Sequence, residues 1–99
     1  MKYIIRHTFK PTIIVPHFAL RNNGKSSLDF MLNEGERVVV TSDGVECRAL
    51  NVEEKHLCEL ESDIKSIYGM DTWNWLKRWY NIDSGLCHLC MVKMDLEKL

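Results

Sequence analysis

Apolar and polar positions follow two periods along this chain. Alternation with a period of two dominates the first half. A helical period takes over after Val52, and alternation returns near the end. Residues 3–9 and 12–15 are rich in β-formers and separated by Lys10-Pro11, which predicts two short strands or one broken strand. Pro16 sits where a helix begins. Phe18 and Leu20 fit a single turn before Asn22-Asn23-Gly24 stops it. Leu28, Phe30 and Leu32 alternate with Asp29 and Met31, favouring a strand with one buried face over a short helix. Asn33-Glu34-Gly35 reads as a turn. Residues 37–41 and 45–52 read as strands joined by Ser42-Asp43-Gly44, whose Asp-Gly pair favours a tight hairpin.

Beyond that hairpin, Leu57, Leu60, Ile64 and Ile67 share one helical face. Glu53, Glu54, Glu59, Glu61 and Asp63 lie mostly off it. Gly69 is the expected end of this helix. Asp71 is the expected N-cap of a second, carrying Trp73, Leu76, Trp79 and Tyr80. Asp83-Ser84-Gly85 breaks it, and the chain closes with a segment that alternates as a strand from Cys90 onward. Strands are not regularly interleaved with helices, so a doubly wound parallel sheet is not expected. The reading is a single α+β domain over residues 1–99. Its small, curved, mostly antiparallel sheet of five or six strands approaches a β-barrel, with two helices packed on its side.

Charge narrows the function classes. With 13 basic and 14 acidic side chains the net charge is -1. Broad attachment to a phosphate backbone needs a basic excess, so a nucleic-acid role has to rest on a local patch or on a pocket for one nucleotide. The opening residues, Met1-Lys2-Tyr3-Ile4-Ile5-Arg6-His7, are interrupted by charge, and no apolar run approaches membrane-spanning length. The expectation is a cytoplasmic chain with no membrane partner and no cofactor. Its cysteines, Cys47, Cys58, Cys87 and Cys90, are then reduced thiols.

Several motifs carry candidate chemistry. Residues 19–26 loosely match a phosphate loop, but only a few residues separate Ser27 from the turn at Glu34-Gly35, too few for the long helix that such a loop requires. Cys87-His88-Leu89-Cys90, with His56, Cys58 or Cys47, has the residue types of a zinc site. On a regular strand, however, residues three apart face opposite sides, so buried cysteine is the better account and no metal is expected. Trp73 and Trp75 cannot both lie on one helical face, so one indole is expected to be exposed and able to stack bases. Lys77 and Arg78 lie beside them. Ser26, Ser27 and Asp29 cluster with Lys25, the obvious local candidate for activating a hydroxyl.

These residues together resemble the ASCH family, small domains of the PUA-like class. Gly24 matches the first glycine of that family's Gly-x-Lys-x-x-Glu-x-Arg stretch, and Asp29 matches its acidic position. Ser26 stands at the lysine position with Lys25 adjacent, and Met31 stands at the arginine position. Gly35-Glu36-Arg37-Val38 is similar to the family's Gly-Asp strand start, Trp79 to its late tryptophan, and Cys90-Met91-Val92-Lys93-Met94 to its closing strand. The resemblance runs from Ile13 to Leu96 and is one of order and spacing more than identity. It implies RNA or a modified nucleoside bound beside Gly24, Lys25, Ser26, Ser27 and Asp29, with Trp75 and Trp79 as stacking faces. Two alternatives stand next to it. One is amide hydrolysis on an acylated nucleoside, with Lys25, Ser26, Ser27 and Asp29 as catalytic candidates. The other is a protein-interaction module without catalysis. The sequence leaves the oligomeric state open.

Overall fold

In a computed structural model the described residues are 2–22, 25–26, 32–79 and 89–99, with the backbone alone described for Lys2, Phe18, Arg21, Asn22, Lys25 and Ser26. Seven strands form one sheet: β1 (Lys2–Ile5), β2 (Thr12–Pro16), β3 (Arg21–Asn22), β4 (Lys25–Ser26), β5 (Arg37–Val40), β6 (Val45–His56) and β7 (Cys90–Lys98). Their order across the sheet is β2-β7-β6-β5-β1-β3-β4. All neighbours pair antiparallel except β1 with β5, which run parallel, so the sheet is mixed. The expected α+β class holds, with five longer strands and a two-residue pair at one edge. The proposed strand through Leu28 and Phe30 lies outside the described residues.

Alternation explains the larger of two cores. Tyr3 and Ile5 of β1, Ile13 and Val15 of β2, Val38 and Val40 of β5, Cys47 and Ala49 of β6, and Val92, Met94 and Leu96 of β7 join one buried cluster. Every second residue of each strand turns to this face. The predicted hairpin is present with a four-residue connection. Gly44 takes the left-handed conformation (φ 65°) and donates its N–H to the Val40 carbonyl at 2.9 Å. Asp43 has a second task there. Its carboxylate accepts the Phe9 N–H at 2.6 Å and ties the β1–β2 connection to the hairpin.

β6 continues to His56, four residues past its expected end, so Glu53 and Glu54 are strand residues and not part of a helix. Two features extend it. Glu53 and Glu54 pair with Lys93 and Val92 of β7, and a bulge sets two residues, Asn51 and Val52, opposite the single Met94. Asn51 adopts a left-handed φ of 53°. The Glu34 carboxylate accepts the N–H groups of both bulged residues, at 2.8 and 3.1 Å. Asp95 fixes the other side, accepting from Asn51 Nδ2 at 2.8 Å and from Thr12 Oγ1 at 2.7 Å.

A 3-10 turn over Leu57–Leu60 leads into α1 (Glu61–Tyr68), and α2 (Met70–Trp79) follows. Gly69, at φ 98°, separates them as expected. Asp71 is not an N-cap. The Gly69 carbonyl already accepts the Trp73 N–H, so the helix begins at Met70 and Asp71 sits in its first turn. Both helices pack on the outer face of the β2–β7 end. Ile14 and Met91, the residues that point away from the sheet core, meet Leu57, Leu60, Ile64 and Trp73 in a second cluster.

Candidate functional site

The helix layer leaves a hollow against β2. Its apolar lining comes from Ile14, Pro16, Ile64, Leu76 and Met91, and His7, Tyr68 and Thr72 supply the polar groups. The volume is ≈ 160 Å³. Two larger hollows are less site-like. One is lined by Lys10, Pro11, Thr12 and Ile67. The other is polar, lined by Glu54, Lys55, His56, Glu59 and Cys90. An apolar concavity with a few convergent polar groups is the usual form of a ligand site, which singles out the first.

Tyr68 organises this site. It is the last residue of α1, and its side chain reaches the strand at the sheet edge. Its hydroxyl accepts the Ile14 N–H at 2.9 Å and lies 3.3 Å from the Ile14 carbonyl. His7 Nε2 is 2.7 Å from the same hydroxyl, across 61 residues of chain. The second ring nitrogen, Nδ1, contacts the Thr8 carbonyl, which can only accept. In the tautomer with its proton on Nδ1, this contact is a hydrogen bond. In that neutral ring Nε2 is the acceptor, and the single Tyr68 hydroxyl proton is shared between His7 and Ile14. The two rings also meet edge-on at 5.6 Å, and Lys10 Nζ stands 5.6 Å from the Tyr68 centroid. Burial holds the Tyr68 phenol above its usual range, against a smaller opposite pull from the Ile14 backbone bond.

Helical periodicity carries this surface along α2. Thr72, Leu76 and Trp79 recur at i, i+4 and i+7, and Trp75 lies beside them. Trp73, on another face, is 4% exposed and belongs to the core, whereas Trp75 and Trp79 are 56% and 64% exposed. Their indoles stand perpendicular with centroids 5.6 Å apart, an edge-to-face pair. Arg78 is exposed and Lys77 half-buried on the same last turn.

The sequence-derived site is placed in part. Gly24, Ser27 and Asp29 lie outside the described residues. The backbone of Lys25 and Ser26 forms β4, at the opposite end of the strand order from β2 and the helices. Of the cysteines, Cys47 is buried, Cys58 exposed and Cys90 half-buried, and Cys87 lies outside the described residues. Burial, with the nearby Glu54 charge, pushes the Cys90 thiol up. Among the described residues no group of three His, Cys, Asp or Glu is placed to hold a metal ion.

His7, Tyr68 and Thr72 have no motif in the sequence. Tyr68 follows Ile64 and Ile67 just before the helix-ending Gly69, so its place near the core was readable. The partner across the hollow was not, because nothing local links His7 to a residue so distant in the chain. Among the described residues no helix is long and apolar enough to cross a membrane. No family model, no curated protein and no solved structure matches the chain.

Proposed function

We propose that this chain is an ASCH-like domain of the PUA class that holds a nucleotide or a short single-stranded RNA element against α2. The observation that carries this reading is the perpendicular, solvent-facing Trp75–Trp79 pair beside the hollow. An indole face left in water costs free energy that a stacked base recovers, and stacking tolerates any base. Arg78 at the end of the helix is suited to one phosphate. The family resemblance implies polar contacts from Lys25, Ser26, Ser27 and Asp29 in a reducing cytoplasm, but β4 stands at the other end of the strand order from the side that carries α2, so this reading draws its contacts from α2 and not from that loop. The strand pattern supports the fold part of the reading. The inner faces of β1 and β2 feed one core cluster although they stand four places apart in the sheet, as a sheet curving towards a barrel would arrange them.

The test is a titration of tryptophan emission with single-stranded oligonucleotides and nucleosides. Trp79→Ala is expected to weaken binding about tenfold or more, since a stacked base contributes about 1–3 kcal/mol. Salt dependence should be shallow because few phosphates are neutralised. No binding to any member of the panel would reject the reading. Self-association that shields Trp75 would point instead to a protein-interaction module.

A further inference from the structure

We infer that the hollow between β2 and α2 is a second ligand site, distinct from the indole pair, that takes a small neutral six-membered ring bearing one hydrogen-bond donor. Three observations fix that chemistry. The first is size. At ≈ 160 Å³ the space matches one ring. Enclosed cavities of about 150 Å³ with aliphatic walls take up a single benzene, and this hollow offers the same volume with one side open to solvent. The second is charge. Among the described residues no Asp, Glu, Lys or Arg lines the hollow, so an ion would lose its hydration without a partner.

The third is the direction of hydrogen bonding. Thr72 Oγ1 donates its proton to the Tyr68 carbonyl at 3.2 Å, and the Tyr68 hydroxyl proton is committed to His7 or Ile14. In the Nδ1–H tautomer His7 gives that proton to the Thr8 carbonyl. The polar groups around the hollow have then spent their protons and retain lone pairs. The ligand must bring the donor, and the Thr72 oxygen is placed to accept it. A phenol or an aniline meets all three conditions. Benzene meets the first two.

This inference does not rest on the nucleotide reading. The experiment is NMR titration of the full chain with phenol and with benzene, following the methyl groups of Ile14, Ile64, Leu76 and Met91. Both rings are expected to shift these methyls at millimolar concentration, phenol more tightly. Thr72→Val, which keeps the side-chain shape, should weaken phenol by about tenfold and leave benzene unchanged. Leu76→Phe, which fills the hollow, should abolish both while circular dichroism confirms the fold. Trp79→Ala should leave both intact, which separates this site from RNA stacking. Absence of methyl shifts in the wild type overturns the proposal. So does equal affinity for phenol in wild type and Thr72→Val, which would make the hollow an apolar void without a polar reader.

Discussion

The two cores of this small domain are built by different rules. The sheet core draws alternate residues from five strands, and most of them are fully buried. The helix-side core rests on two short helices whose apolar stripes cover Ile14 and Met91, and it ends in a hollow and a pair of exposed indoles. Paired strands fix side-chain direction at every second residue and leave little choice. Short helices set on the outside of a sheet meet it along narrower stripes, and the gaps between stripes become concavities. The first arrangement makes the frame and the second makes the surface that a ligand can use.

That contrast breaks most sharply under truncation. Ile13→Ala, in the sheet core, should cost about 3 kcal/mol or more, the range for deleting a fully buried aliphatic side chain. Leu76→Ala, at a half-buried position on the hollow's wall, should cost about 1 kcal/mol because less area returns to water. Urea midpoints of the two variants decide it, and equal losses would mean that the helix side is as tightly packed as the sheet. The bulge gives an intermediate test within the frame. Glu34→Ala leaves the Asn51 and Val52 amides without their carboxylate. The site is exposed to water, so the cost should be about 1 kcal/mol. Faster hydrogen exchange at those two amides would confirm it.

The smallest effect is one of pH. Bonds from Asn51, then from Thr12, hold the Asp95 carboxyl below the usual carboxylate range. A group whose pKa falls on folding stabilises the fold above its unfolded value, about 3.9 for aspartate. It loses that contribution as pH falls through the lower folded value. Wild type should therefore lose stability below about pH 4 more steeply than Asp95→Asn, which has no charge to lose there. Parallel curves of urea midpoint against pH would show that Asp95 adds nothing to the frame.

What the sequence disclosed follows the same division. The apolar run at 37–41 and the strand-like segment 45–52, with Asp43-Gly44 between them, were enough to place the hairpin. The apolar stripe from Leu57 to Ile67 was enough to place the helix layer, but Leu57 and Leu60 fall in a 3-10 turn and α1 starts only at Glu61. The extent of β6 was hidden because Glu53 and Glu54 fit a helix's polar face as well as a strand, and only pairing with β7 decides between them. Asp71 misled for a similar reason. An aspartate near a helix start fits the cap and the first turn equally, and the preceding glycine carbonyl settled which. The exposed indole was legible from helical spacing alone. The polar groups of the hollow were not, because they come from three separate elements and meet only through the fold.

Tyr68 carries a consequence beyond ligand binding. β2 is an outermost strand, and its central backbone groups at Ile14 face away from the sheet. Such groups offer a template on which a strand of another molecule can dock and begin an aggregate. The phenol occupies that position, and Pro16 has no N–H to offer at the next outward-facing residue. One aromatic side chain thus shapes a binding hollow and guards solubility, so changes made there to alter recognition will also be felt in how long the protein stays dispersed.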